Sequence, residues 1–500
     1  MASIADYVRT EERSFAELPL NEVDALIFGT LIYEDVARIC PTLALDESDH
    51  HSADGSFASR IRAFEPEHPL LWLRALWHPM MESISIADAN QQLHQSTANE
   101  EDDKPHEPQV VSVLDPSLTH ALFRTCAKSP RFAGVRLGAV VEHVNRGEQT
   151  QFAAATFQLP DGRSRRNPTR KGTLVISFRG TDDSFIGWKE DFNMSFQYPV
   201  PAQRAASAYL DTVARLWAGP IILTGHSKGG NLAVYAAMNA DAKVQRRIQH
   251  VYSLDGPGFP QEIVTSPAYR AIQPKVTKIV PSSSIVGMIF ETPEPCRVVA
   301  SDSDGIMQHS SHTWLVNGDQ FVTEPDLSSS SQLFNERLNQ WVVSLTPEQR
   351  ERAVDALFRV LHANGATRLS DLMGNLPAAI PSMLGAYVGL TPEDRRHLTE
   401  AMAILFRAAA TKRKPATTAG TSATEPATSP SDAPSDAPSD APSDAPSDAP
   451  AAEPAPATDA IASAEGIDPN ATTAAPASQH GSQAPAPSAP DSPSSTSSAA

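Results

Sequence analysis

The stretch Ile221-Ile-Leu-Thr-Gly-His-Ser-Lys-Gly-Gly-Asn-Leu-Ala-Val-Tyr-Ala-Ala237 decides the fold. The short apolar run from Pro220 to Thr224 has the composition of a buried strand, and the small residues after Gly230 have that of a helix. Between them stands Gly225-x-Ser227-x-Gly229, the pattern of a sharp strand-to-helix turn that carries a serine at its tip. A serine hydroxyl is a poor nucleophile until it is exposed, aimed and deprotonated by a base. The turn supplies exposure, and its glycines let strand and helix pass close together. The helix that follows points its first N–H groups at any oxyanion forming beside the serine. Ser227 is therefore the candidate nucleophile, and the backbone N–H of Lys228 the first candidate oxyanion donor.

Outward from this turn the chain alternates between strands and helices. Residues 116–128 read as a helix, Leu137–Val144 and Gln151–Leu159 as strands with a turn at Pro160-Asp161-Gly162, and Thr173–Phe178 as a buried strand. A helical stretch at Ala202–Trp217 precedes the serine turn, a helix over about Gly230–Ala240 follows it, and strands at Ile248–Leu254 and Thr277–Val280 come next. Such alternation implies right-handed crossovers and a mainly parallel sheet covered by helices, an α/β fold. Near the N-terminus, Val23, Leu26, Ile27, Leu31 and Ile32 recur at helical spacing after the N-cap Asn21. Residues 45–60 and Asn99–Pro108 read as polar loops, and Pro69–Met81 is apolar and Trp-rich. Thr346-Pro-Glu-Gln and Thr391-Pro-Glu-Asp each open a helix with a cap, a proline at the first position and acids in the first turn.

The stretch Phe178-Arg-Gly-Thr-Asp-Asp-Ser-Phe-Ile-Gly-Trp-Lys-Glu-Asp-Phe192 leaves a buried strand where a second oxyanion donor is expected. Thr181 offers a backbone N–H and a hydroxyl, and Arg179 and Asp191 suit bracing of the loop.

FRGT followed by a tryptophan, an aspartate and then GHSxGG resembles the class 3 lipase pattern of the α/β-hydrolase superfamily. With Gln151-Phe-Ala-Ala and Tyr252-Ser-Leu-Asp-Gly-Pro-Gly-Phe259, the longer string is similar to a family of bacterial α/β-hydrolase proteins of unassigned function, over roughly 4–40 and 115–320. The resemblance implies a serine hydrolase fold with the order serine, acid, histidine. His309, in the Gln308-His309 pair, is then the expected base, with His312 in reserve; His362 and His397 fall on amphipathic helices and are expected at the surface. Class 3 lipases place an aspartate after the strand equivalent to Thr277–Val280, where this chain has Pro281-Ser-Ser-Ser284. Asp255 is the leading candidate acid. Asp302, Asp304, or a dyad oriented by Ser283 or Ser284 stay open, as does a plain turn-capping role for Asp255. Ile285–Phe290 reads as a lip over the site or as core, and Leu376–Leu390 as a packed helix or an acyl-binding cap.

Composition bounds the rest. From Pro415 onward there is no aromatic and no basic residue, and 16 of the 42 prolines fall there, five of them opening tandem Pro-Ser-Asp-Ala units over 430–449. Such a segment cannot bury enough apolar surface to order itself and is expected to be disordered, with an unknown partner if any. The chain's net charge is −19; the tail holds 11 acids and no base, so the rest stands at −8. That charge argues against nucleic acid and against simple attraction to anionic lipid. Cys40, Cys126 and Cys296 are too few and scattered for a disulfide framework or a zinc site, and no metal or cofactor motif is present. No leader or membrane-length apolar run is evident, so a cytoplasmic location is expected, with peripheral membrane contact left open. The expected organisation is an N-terminal helical region with acidic loops (1–114) that is part of the hydrolase body, an α/β-hydrolase core (115–345), a C-terminal helical extension (346–412) and an acidic tail (413–500). The expected activity is hydrolysis of a carboxylic ester, an acyl or lipid ester included. The rival is a catalytically silent hydrolase fold acting as a binding or scaffolding module.

Overall fold

The computed structural model describes residues 2–43, 81–99, 115–145, 147, 149–160, 172–290 and 292–409. Met1–Thr418 forms one compact unit. The second unit, Ala419–Ala500, lies outside the described residues, as do the expected loops at 45–60 and 100–108, the Trp-rich stretch to residue 80 and the turn at 161–162.

An eight-stranded sheet organises the first unit. Its strands are β1 (Ser83–Ser85), β2 (Arg136–Asn145), β3 (Thr150–Gln158), β4 (Leu174–Phe178), β5 (Ile221–His226), β6 (Ile248–Leu254), β7 (Val276–Pro281) and β8 (Cys296–Val299), and they lie side by side in that order. The three pairings among β1–β4 are antiparallel and the four from β4 to β8 are parallel. Every residue of β4 and β5 is buried, which is why these strands read as unbroken apolar runs instead of alternating ones.

Strand order equal to chain order has a consequence for the faces. From β4 onward every crossover steps the same way, and right-handed crossovers then place their helices on one face. The helices Pro201–Leu216 and Lys228–Asn239 pack there, with Tyr209, Leu210, Leu232 and Ala236 against Ile176, Leu223 and Val251. The opposite face is covered by N-terminal segments: Glu22–Leu31, Ile4–Thr10 and Pro116–Cys126.

Glu22–Leu31 departs from the expected amphipathic helix, because all ten of its residues are buried. It lies directly on the strands, where Ser177 donates to Phe28 O at 3.0 Å and Thr224 to Ala25 O at 2.9 Å. Small hydroxyl residues on the sheet allow that close approach, and the helix reads as apolar all round because it is enclosed. Arg131 fixes its start, with Nε donating to Asp24 Oδ1 at 2.9 Å and Nη2 to Oδ2 at 2.5 Å in a fully buried pair.

Downstream of the helix Ser329–Ser344, helices Pro347–Leu361, Leu369–Gly374, Leu376–Val388 and Pro392–Ala409 build two small apolar clusters, one of them closed by Phe185. Both Thr-Pro caps form: Thr346 accepts from Gln349 N–H at 3.3 Å and Thr391 from Asp394 N–H at 3.1 Å. The helix over Leu376–Val388 buries Ala379 and exposes Ile380, Leu384 and Val388.

Candidate active site

The carboxyl ends of β5, β6 and β7 and the loop after β8 converge. Ser227 follows β5 with φ +59°, and the next helix begins at Lys228, two residues before the small-residue run. This is the strained turn that the Gly225-x-Ser-x-Gly229 spacing predicts. A Cβ at Gly225 would stand 2.2 Å from Gly229 C, and one at Gly229 would stand 2.0 Å from Phe178 O. Neither position has room for a side chain.

The serine hydroxyl meets His309 Nε2 at 3.0 Å, and Nδ1 of the same ring meets Asp255 Oδ2 at 2.6 Å. Asp255 directly follows β6, is fully buried and has φ +49°. Its other oxygen accepts from the Ser284 hydroxyl and from Gly287 N–H at 3.1 Å. Burial pushes the Asp255 carboxyl up, but the hydrogen bond and charge of His309, then the Ser284 hydroxyl, more than offset this and hold it below its ordinary value. Its ring partner is the histidine named from the sequence, held between a hydroxyl and a carboxylate.

The other candidates lie elsewhere. His312 meets Thr119 Oγ1 at 3.3 Å, and burial pushes it down to about 4. Asp302 and Asp304 are exposed. Neither Ser283 nor Ser284 is bonded to the histidine; Ser284 acts through Asp255, and Ser283 meets Ser328 Oγ at 3.4 Å. His397, expected at the surface, is buried among the C-terminal helices, whereas His362 is exposed as expected, its ring edge-on to Phe185 and its Nδ1 on Ala366 O at 3.0 Å. Helices packing on one another cover the His397 ring, which a reading of its helix alone leaves exposed. The stretch Ile285–Phe290 is half-buried, with Gly287 donating to Asp255.

The Thr181 hydroxyl donates to Asp191, so of the two donors expected from Thr181 only its backbone N–H is left for an oxyanion. Burial pushes Asp191 up to about 6, with Lys228 and Thr181 pulling the other way. Arg179 pairs with Glu142 at 2.7 Å and braces the strand end.

Sequence reasoning missed three features. Lys228, assigned only through its amide, buries its ammonium completely; Nζ donates to Gln151 O at 3.0 Å and to Glu190 Oε2 at 3.1 Å, with Asp191 Oδ1 at 3.6 Å. Glu190 also accepts from Gln151 N–H at 3.1 Å and Ala202 N–H at 2.9 Å. This group locks the turn to β3 and to the helix Phe185–Asn193. The triplet of Lys228, Glu190 and Gln151 in the quoted motifs was the available signal.

The second is His226, whose Nε2–H donates to His309 O at 2.7 Å and holds the histidine loop from below. Burial, then the adjacent His309, push His226 down to about 3, so it is neutral near pH 7. A search for histidines after the serine passes over it. The third is the division of labour in Gln308-His309: Gln308 accepts from Ser283 N–H at 2.7 Å and donates to Ser303 O at 2.9 Å, pinning the loop to the end of β7. Asn231 does the same for the loop after Asp255, donating to Pro257 O and Gly258 O at 3.2 and 2.9 Å.

Residues 126–359 match the family model described as Mbeg1-like, a lipase-like α/β-hydrolase family. The matched span contains Thr181, Ser227, Lys228, Asp255 and His309, and leaves out the N-terminal helices. No curated protein matches the chain, and neither does any solved structure. Among the described residues, no three His, Cys, Asp or Glu side chains gather as a metal site would require, and no helix is long and apolar enough to cross a membrane.

Proposed function

We propose that the protein is a serine hydrolase that cleaves a carboxylic ester through an acyl-enzyme on Ser227. The observation that carries this reading is the unbroken hydrogen-bonded series from the strained Ser227 through His309 to the buried Asp255. With Nδ1–H donating to the carboxylate, Nε2 is left as the acceptor facing the serine hydroxyl. In the first half-reaction the Ser227 Oγ–carbon bond forms while its proton passes to Nε2. The tetrahedral intermediate then expels the alcohol, which takes that proton. Water repeats the steps and releases the acid. The N–H groups of Lys228 and Thr181 suit the oxyanion, and Asp255 keeps the ring in the required tautomer. Acyl and lipid esters are the substrate class that the lipase-like motifs favour.

The test is fluorophosphonate labelling of the full-length protein, with peptide mapping and Ser227→Ala in parallel. One adduct on Ser227, absent from the variant, is expected. If a known serine hydrolase labels and this chain does not, the hydrolase reading fails and the scaffold rival takes its place.

A further inference from the structure

Tyr33 sits in the turn after Glu22–Leu31, its N–H donating to Thr30 O at 3.1 Å. Its hydroxyl is buried, and among the described residues its proton has no acceptor. Buried phenol hydroxyls are normally paired. The buried serine and threonine hydroxyls nearby are paired: Thr30 donates to Leu26 O, Ser177 to Phe28 O and Thr224 to Ala25 O.

The lone hydroxyl is aimed at the serine turn. A Cβ added to Gly180 would stand 2.2 Å from Tyr33 Oη, 2.7 Å from His226 O and 2.9 Å from Ser227 Cβ. Tyrosine hydroxyl and nucleophile thus crowd one and the same Cα, that of the residue before Thr181. Glycine at 180 is what lets the hydroxyl reach this place.

We propose that Tyr33 is a catalytic residue, a side-chain donor to the oxyanion that forms when Ser227 adds to an ester carbonyl. The proposal rests on the hydrolase reading above. In that step the Ser227 Oγ–carbon bond forms, the carbonyl π pair moves onto oxygen and the serine proton goes to His309. Tyr33 keeps its proton and only donates a hydrogen bond. Burial holds the phenol protonated near neutral pH. A donor that is unpaired in the resting protein and paired once charge develops favours the transition state over the ground state.

The experiment compares full-length wild type and Tyr33→Phe in hydrolysis of 4-nitrophenyl butyrate and in inhibition by an alkyl trifluoromethyl ketone. The ketone's adduct on Ser227 carries the same oxyanion. Expected for the variant is a kcat lower by about 10²–10³-fold, with KM changed less than about threefold. Ketone affinity should fall in parallel, and Tm should hardly drop, since the phenol O–H donates to no described residue in the resting protein. Unchanged kcat and ketone affinity overturn the proposal. A fall in kcat with ketone affinity intact also overturns it and gives Tyr33 a structural role. Failure of the underlying reading looks different: the wild type takes no fluorophosphonate on Ser227 and hydrolyses no ester, and the Tyr33 role falls with it.

Discussion

Ser227 and Asp255 both carry a positive φ, +59° and +49°, a region that costs a non-glycine residue energy. The surrounding structure imposes that geometry, so removing a functional atom should leave the fold intact. Ser227→Ala is expected to lower ester turnover at least about 10⁴-fold while shifting Tm by no more than about 2 °C, as activity and calorimetry together would show. Asp255→Asn should lower kcat by about 10⁴-fold, because an amide cannot hold the ring in the tautomer that leaves Nε2 free. The pH dependence of folding follows from the same residues. Asp255 has a folded-state pKa below its ordinary value, so its contribution is present above about pH 4 and is lost as pH falls through the folded value. His226 behaves otherwise, since its neutral form is the one the fold keeps, down to about pH 3. The unfolded chain takes up that proton near pH 6.5, so stability is whole above that point and falls as pH drops from 6.5 toward 3. The slope from one such ring approaches about 1.4 kcal/mol per pH unit, and His312 adds to it down to about pH 4. Urea unfolding at pH 7, 6 and 5 should show this loss, and His226→Gln should make it shallower.

At the level of elements, the serine turn depends on contacts that two kinds of change would break. Gly229→Ala would drive a methyl to within 2.0 Å of Phe178 O, a backbone atom that cannot rotate away. Strand and helix must then separate, which should cost about 3 kcal/mol in urea unfolding and abolish labelling of Ser227. Lys228→Met leaves Glu190 buried without its counter-ion and is expected to cost about 3–5 kcal/mol. The double variant with Glu190→Gln should recover part of that loss. How these elements announce themselves differs. The turn was legible because glycine spacing and a flanking apolar run are local constraints. His309 followed from motif order. Asp255 was legible only as one of several acids, because its meeting with the ring depends on β6 and β7 lying side by side, with Asp255 N–H donating to Ile279 O at 2.8 Å. The buried Lys228–Glu190 pair was hidden for the same reason: charged residues in a sequence look solvated until the fold surrounds them.

Within the first unit, one face of the sheet is covered from within the family-matched span, and the other by N-terminal helices outside it together with Phe132, Trp314, Val316 and Phe321. Phe28 packs at 4.8 Å on Phe157 and at 5.7 Å on Phe132, joining the N-terminal helix to β3 and to the approach to β2. Phe28→Ala should cost about 3–5 kcal/mol, as urea unfolding would measure. A fragment limited to residues 126–359 should be insoluble or fail to unfold cooperatively, and adding the N-terminal segment should restore a two-state transition in calorimetry. The N-terminal region packs into the core; which strands it lies on was not legible in the sequence, because the partner is a hundred or more residues away along the chain, as between Thr224 and Ala25. The strands, finally, lie across the sheet in the order in which a ribosome makes them. Each strand after β4 leaves the exit tunnel to find its partner already waiting as the open edge of a growing sheet. The elbow is built in the middle of that process, before Asp255 and well before His309 have been translated. On the hydrolase reading, the nascent protein carries its serine without a base, and its chemistry begins only when the last parallel strand has been laid down and the loop beyond it closes back over the end of β5.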